Sequence, residues 1–338
     1  MGFMQSDWGI TVVLDLFMGG GGAGLLVLSA LLWLTGKEKC RDSAAIGGWI
    51  CFGCIVIGLL CLLADVGQPL RAMLLPVSFS HFTSWMTFGA WFMLAALIVS
   101  FAFALSVTDR TIVAISRFWK GFTTHRNTIA NISGVIGIAA GFMVTIYTGF
   151  LISSAEGVPF WSTLLLPAGF CASAFYLAAL IMLAILSRPK SKGDLQKMRL
   201  TLTVMAFAFA AAFITFAAAH LAVASSGDLI HGSLLASTGA AEAAQTSARV
   251  ILSGDLSTLF WIGLVAVGLV LPLALAAIQW VPFSFIQKRR LAIAVATATC
   301  ALAGVFLWRY LVLAVGIHQP LPNTDIMHIV AGTTFLFG

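Results

Sequence analysis

Eight long apolar runs dominate the sequence, and short polar segments separate them. A membrane-crossing α-helix needs roughly 20 mostly apolar residues, and each of these runs is long enough. The pattern therefore predicts an all-α membrane protein with eight transmembrane helices, arranged as two four-helix bundles within a single domain over residues 1–338. The predicted helices cover residues 8–34, 44–65, 81–107, 128–153, 160–187, 199–222, 256–280 and 291–315.

Positive charge lies almost entirely in every second loop of this pattern. Of the 18 Lys and Arg residues, 15 follow the first, third, fifth and seventh apolar runs. Because the cytoplasmic loops of membrane proteins are enriched in Lys and Arg, these four loops are predicted to face the cytoplasm. Both termini are then extracytoplasmic, and the protein is predicted to be a multi-pass protein of a prokaryotic cytoplasmic (inner) membrane. The 15 residues are Lys37, Lys39, Arg41, Arg110, Arg117, Lys120, Arg126, Arg188, Lys190, Lys192, Lys197, Arg199, Lys288, Arg289 and Arg290.

Composition favours the same class of protein. The sequence is 60% apolar and 9% charged, whereas ordinary soluble domains contain about 25% charged residues. The net charge of +6 comes from the basic loops, where topology and anionic lipid account for it, so no nucleic-acid partner is expected. The leading segment has no basic n-region, carries Asp7 and Asp15 and is too long for a cleaved signal peptide, so it should remain as the first helix.

Two segments outside the runs are predicted to be extracytoplasmic. Residues 223–255 form a long loop whose middle part, residues 239–252, has the character of a short interfacial helix. Residues 316–338 form an irregular tail. The loop and tail either cap the helices or offer a docking surface for a partner.

Candidate chemistry lies among the polar side chains at membrane depth, because such groups are costly there and usually pair or serve a pathway. Asp15 is predicted roughly 12 Å below the outer end of the first helix, and Tyr147 roughly 9 Å below that of the fourth. Arg309 falls near the same level, where it either neutralises Asp15 or a nearby acid or has a structural role. The glycine-rich run that starts at Gly19 allows the close approach of another helix or of a flat ligand.

Further polar residues cluster at the same ends of the helices. Between the basic loops and mid-membrane the helices contain no Asp, Glu, Lys, Arg or His, which argues against a carboxylate relay across the bilayer. Asp65 and Arg71 bracket a turn. They are predicted either to form an ion pair that shapes the loop or to line a proton exit or the entrance to a ligand site. The outer-end residues are Asp65, Arg71, His81, Trp85, Glu156 and His220.

An ordered set of short motifs resembles the NrfD/PsrC family, the integral membrane subunits of polysulfide-reductase-like complexes. The motifs occur in family order across the first five helices, whereas the second half matches mainly by helix count and by W-R-Y. They are W-G at 8–9, L-F-M-G-G-G-G-A-G at 16–24, D-V-G-Q-P-L-R at 65–71, S-W-M-T-F-G-A-W at 84–91, Y-T-G at 147–149, P-F-W at 159–161, L-P-A-G-F-C-A-S-A at 166–174 and W-R-Y at 308–310.

The resemblance implies a quinone-binding subunit of an anaerobic respiratory complex. Such a subunit carries no haem or metal and exchanges electrons between menaquinol or ubiquinol and an iron–sulfur partner, usually beside a molybdopterin catalytic subunit, on the extracytoplasmic side. Polar side chains on the first helix and a tyrosine on the fourth contact the quinone in relatives. Tyr147 matches that tyrosine, and Asp15 stands where the family has His or Asn.

Quinol oxidation removes two electrons and two protons, so the site needs hydrogen-bond partners and a proton acceptor. Asp15 is predicted to take a proton and Tyr147 to donate a hydrogen bond to a ring oxygen, while Gly19 leaves room for the ring. The predicted contacts to the quinone are completed by Trp85 and His81. The residues predicted to form the outward proton path or its ion pairs are Asp65, Arg71, His81, Glu156 and Arg309.

Two other classes of function compete with this interpretation. A di-haem cytochrome b needs paired histidine ligands on facing helices, and only His220 lies well inside a run, with His81 at the edge of another. An ion- or solute-translocating protein would work without a redox partner. The terminal substrate and the direction of electron flow would be decided in the catalytic partner rather than in this protein.

Overall fold

A computed structural model describes residues 8–65, 85–116, 120–155, 157–188, 195–227, 238–282 and 284–318. Every element in these ranges is a helix, which confirms the all-α prediction. The helices are α1 Ile10–Gly36, α2 Arg41–Asp65, α3 Trp85–Val107, α4 Asp109–Ser116, α5 Lys120–Ser153, α6 Leu165–Leu186, α7 Gln196–Ser226, α8 Thr238–Leu252, α9 Leu259–Ile278, α10 Ser284–Lys288 and α11 Arg290–Ala314.

Seven stretches within the described residues are long and apolar enough to cross a membrane, so this is a multi-pass membrane protein. The first stretch, Ile10–Ala64, has 55 residues and contains both α1 and α2. A 3₁₀ turn at Lys37–Cys40 separates these two helices, and Lys37 there adopts a φ of 43°. The count of eight crossings and the side on which the termini lie stay predictions.

Helices α1 and α2 run antiparallel. Gly47 near the start of α2 packs against Ser29 in the second half of α1, whereas Gly58 near the end of α2 packs against Asp15 near the start of α1. A chain that turns back on itself over such a short connection brings the polar start of α1 beside the end of α2.

Helix α1 lies at the centre of the molecule. With α2, α3 and α5 it forms one group of four helices, and it also contacts α6 and α11 of a second group, formed by α6, α7, α9 and α11. Glycines permit this position: a Cβ atom added at Gly24 would lie 2.9 Å from the carbonyl oxygen of Ala174, and one added at Gly141 would lie 2.7 Å from that of Ala23. Small residues thus let the backbones approach closely.

The outer end of the molecule, opposite the basic loops, is closed by tryptophan and serine contacts. The indole N–H of Trp161 donates to the carbonyl of Val312 over 2.8 Å, and the Ser247 hydroxyl of α8 donates to that of Val315 over 2.6 Å. The ring of Trp8 packs on Trp161 with 5.4 Å between centroids. These hydrogen bonds therefore hold the loop before α6 and helix α8 against the end of α11, at the outer end of the two groups of helices.

Ion pairs fasten the basic end. Asp109 at the start of α4 accepts from Arg126 of α5 over 2.7 Å and from Arg41 of α2 over 3.1 Å, and Arg41 also pairs with Glu38. Partial desolvation raises the pKa of the Asp109 carboxyl, but the hydrogen bonds and charges of Arg126 and Arg41 outweigh it and hold the pKa below its ordinary value. This network ties α4 to α2 and α5.

Replacing Asp109 with Asn is expected to lower the thermal unfolding temperature slightly at pH 7. Because the folded-state pKa is depressed, the carboxylate stabilises the fold fully above its ordinary value of 3.8 and loses this effect as the pH falls further. The effect is small because the side chain is 61% exposed and solvent screens the pairs. Unfolding in detergent across pH would show a difference that shrinks in acid. A difference as large at pH 3 as at pH 7, or one matched by Asp42→Asn, would contradict this assignment.

Candidate functional site

Asp15 is a buried carboxylate near the outer end of α1. Its side chain is 5% exposed and lies against Gly58 of α2, where a Cβ atom would come within 3.2 Å of Asp15 Oδ1. The thiol of Cys61, one turn further along α2, lies within electrostatic range of the carboxylate. The absence of a side chain at Gly58 therefore leaves the space that the carboxylate occupies.

Tyr147 lies on α5 and is 4% exposed. Its ring packs directly over Gly89 of α3, so closely that a Cβ atom there would overlap the ring. The Asp15 carboxylate is near enough to interact electrostatically with the Tyr147 hydroxyl. The two residues that sequence patterns placed at the same depth on different helices thus lie within electrostatic range of each other.

The rest of the Y-T-G motif has a packing role. Gly149 faces Pro167 of α6 so closely that any Cβ atom would overlap the proline backbone. The contact joins α5 to α6 one turn or less from Tyr147, and it therefore fixes the position of the tyrosine along the helix axis.

Neighbouring side chains fill the space beside the glycine run of α1. A Cβ atom at Gly19 would lie 3.2 Å from the terminal methyl carbon of Met93, and one at Gly20 would lie 3.4 Å from Thr148 Oγ1. Of the two alternatives, close helix packing accounts for Gly20. Room for a ring beside Gly19 stays a prediction, and it would require the flexible Met93 side chain to move.

Arg309 is fully buried in α11 and is turned toward neutral atoms. It donates to the Leu16 carbonyl of α1 at 3.3 Å, to the Ser173 hydroxyl at 3.1 Å and to the Phe170 carbonyl at 3.3 Å, both on α6. Its guanidinium also lies 4.7 Å from the centroid of the Phe170 ring. Among the described residues no carboxylate lies within ion-pair distance of Arg309, so the predicted ion pair with Asp15 does not form there. Arg309 instead joins α1, α6 and α11.

Replacing Arg309 with Lys is expected to lower the thermal unfolding temperature clearly. A lysine ammonium is a single point charge on a flexible stem and cannot reach acceptors on α1 and α6 together. Each lost hydrogen bond to a charged group is worth about 1.5–3 kcal/mol. Unfolding in detergent measures the loss, and the exposed Arg110→Lys serves as the control. Unfolding of Arg309→Lys at the wild-type temperature would contradict the joining role.

Trp85 opens α3 beside a cavity at the outer end. Its ring stacks on Phe150 of α5 with centroids 4.6 Å apart and planes 8° apart. The cavity has a volume of ≈ 230 Å³ and is lined by both rings together with Ser153 and Thr163. Phe150 follows Tyr147 by three residues, so the cavity lies about one helical turn further out than the tyrosine. The Thr163 hydroxyl is 3.1 Å from Nδ1 of the buried His220.

Several residues of the predicted proton path cannot be placed. Arg71, His81 and Glu156 lie outside the described residues, and Asp65 is described only as the last residue of α2. Their roles as quinone contact, ion pair or proton exit stay predictions.

Sequence reasoning missed three residues that shape the site. Gly58, Gly89 and Met93 contact Asp15, Tyr147 and Gly19 respectively. Gly89 lies within the S-W-M-T-F-G-A-W motif, so the motif contained a usable indication. Gly58 and Met93 stand in apolar stretches where nothing in the sequence distinguishes them from ordinary lipid-facing or packing residues.

Comparison with known proteins gives two matches. The profile of the family described as polysulphide reductase, NrfD, matches residues 2–320. The sequence is also 27% identical over 323 residues to the polysulfide reductase C subunit of Wolinella succinogenes, in an alignment that covers 91% of this protein and 94% of the relative.

Proposed function

Because the protein belongs to the NrfD polysulphide reductase family, we propose that it binds quinone and exchanges electrons between menaquinol or ubiquinol and a partner subunit. Family membership makes it a membrane subunit of a respiratory oxidoreductase. The observation that carries the finer proposal is the burial of Asp15 and Tyr147 within electrostatic range of each other near the outer end of α1 and α5.

The proposed partners follow from the relative's name and from the outer end of the fold. A polysulfide reductase that has a C subunit has further subunits. We propose an iron–sulfur subunit and a molybdopterin-type catalytic subunit on the outer end, where α8 and the loop before α6 are fastened to α11. Tyr147 and Asp15 lie toward this end, which keeps the distance to a docked cluster short.

The proposed topology has eight crossings, with α1 and α2 counted separately because they run antiparallel. The basic loops face the cytoplasm and the outer end faces the extracytoplasmic side. If the redox partners dock at the outer end, the iron–sulfur subunit lies on the extracytoplasmic side of the membrane, opposite to the basic loops.

The side chains of the site suit the hydrogen bonding that quinol oxidation requires. When bound, quinol supplies two electrons and two protons. The Tyr147 hydroxyl would donate a hydrogen bond to one ring oxygen. The Asp15 carboxylate would accept the two protons in turn, passing the first to the proposed proton path before it takes up the second. Trp85 and Phe150 would shield the site from the outer cavity, and Gly19, His81 and the residues of the proposed proton path would complete it. No metal or haem forms part of this proposal.

Purification of the complex from its native membrane tests the assignment. The expected result is co-purification of an iron–sulfur protein whose cluster is reduced when quinol is added. The absence of any redox-active partner in a complex that retains this protein would contradict the proposal.

The alternative is an ion- or solute-translocating protein without a redox partner. A buried acid such as Asp15 inside a membrane span would also suit an ion path. Uptake of solute or ions by vesicles that contain this protein alone would favour that alternative, and its absence there would favour electron transfer.

A further inference from the structure

A cavity at the basic end of the second helix group has no role in the proposed quinone chemistry. It has a volume of ≈ 370 Å³ and lies where α7 and α11 begin and α6 and α9 end. Its polar lining consists of Gln196, Arg199, Gln279, Trp280, Gln287 and Arg290.

The cavity has structured walls. Gln279 is 5% exposed, so an amide group is held buried in the wall. Trp280 donates from its indole N–H to the Thr203 hydroxyl over 3.2 Å, which ties the end of α9 to the first turns of α7. The cavity therefore lies between fastened helices.

The described residues that line this cavity together carry a net positive charge. Arg199 and Arg290 contribute two guanidinium groups, whose planar donor geometry matches the oxygens of a phosphate. Helices α7 and α11 also begin at the cavity, and helix N-termini favour anions. No described lining residue is Asp or Glu. Another cavity at this end, of ≈ 710 Å³, differs because its basic residues are accompanied by Glu38, Asp42 and Asp109.

We propose that the Arg199–Arg290 cavity binds the phosphate group of an anionic phospholipid headgroup. Basic pockets between transmembrane helices at the membrane surface are suited to such headgroups. The apolar lining residues Leu183 and Pro282, with the Trp280 ring, provide contacts for the glycerol and the first acyl carbons. A headgroup already present in the adjacent leaflet also reaches the site at a higher local concentration than a free phosphate ion.

The test uses the purified full-length protein, stripped of lipid in detergent. Thermal unfolding is followed as phosphatidylglycerol, phosphatidylcholine or inorganic phosphate is added, and native mass spectrometry counts retained lipid. Phosphatidylglycerol is expected to raise the unfolding temperature and to remain bound, whereas phosphatidylcholine and inorganic phosphate have little effect. An equal effect of inorganic phosphate would show that a free anion binds, which would overturn the lipid assignment.

Matched variants locate the site. The double variant Arg199→Gln/Arg290→Gln is expected to weaken the apparent affinity for phosphatidylglycerol at least about tenfold, because charge-assisted hydrogen bonds are lost. The control Lys197→Gln/Arg289→Gln removes two positive charges from neighbouring exposed positions and should bind like wild type. If both double variants lose affinity equally, the effect is one of general surface charge and the proposal fails. Lipid counting by mass spectrometry keeps the comparison valid even if a variant unfolds at a lower temperature.

Discussion

Replacement of Asp15 with Asn is expected to lower quinol oxidation by about 100-fold or more, since positioned acid–base groups contribute about 10²–10⁴-fold. The amide has nearly the same size and fits beside Gly58, but it cannot take up the proton that quinol releases. Packing around α1 should persist, because Gly24, Gly141 and Arg309 hold this helix independently of the carboxylate.

The measurement is quinol oxidation by the purified complex, compared with wild type at equal content of the iron–sulfur partner. Asp42→Asn, an exposed acid at the basic end, is the matched control and should keep wild-type turnover. Wild-type turnover by Asp15→Asn in an intact complex would remove Asp15 from the proposed chemistry.

Replacement of Gly89 with Ala is expected to lower quinol oxidation by about tenfold or more. A tenfold loss corresponds to about 1.4 kcal/mol of lost transition-state stabilisation. The added Cβ atom overlaps the Tyr147 ring, so the ring must move and its hydroxyl with it. Tyr147→Phe keeps the ring over Gly89 and removes only the hydroxyl, and its loss of activity shows what the hydroxyl alone contributes.

Gly53→Ala is the control for glycine replacement in a membrane helix, because nothing lies within 4 Å of a Cβ atom at that position. It should leave both assembly and turnover unchanged. If Gly89→Ala behaves like Gly53→Ala, then the position of Tyr147 does not matter for quinol oxidation.

The sequence predicts the long helices well because apolar length is a strong constraint in a membrane. The predicted boundaries differ most from the observed ones at two helix starts, for two different reasons. The predicted helix at 160–187 begins only at Leu165, because Trp161 lies in a loop and fastens it to α11. Helix α5 begins at Lys120 rather than at 128, since its polar first turns carry Arg126 to Asp109.

The sequence predicts how deep in the membrane the candidate site residues lie, but it does not predict which neighbours their side chains face. Helical rise places Asp15, Tyr147 and Arg309 in one layer, yet it does not say which neighbour each side chain faces. Arg309 donates to backbone carbonyl oxygens on α1 and α6 and to the Ser173 hydroxyl. Every residue has a backbone carbonyl, so the sequence does not show which ones accept from Arg309. The glycine run likewise indicates close approach without telling a helix from a ligand.

The most direct test of the quinone site is photolabelling of the intact complex with a light-activated quinone analogue, followed by peptide mapping. The account predicts labelled peptides from α1 around Asp15 and from α5 around Tyr147, with labelling suppressed by excess quinol. Labelling confined to other helices, or labelling of these peptides that excess quinol does not reduce, would contradict it.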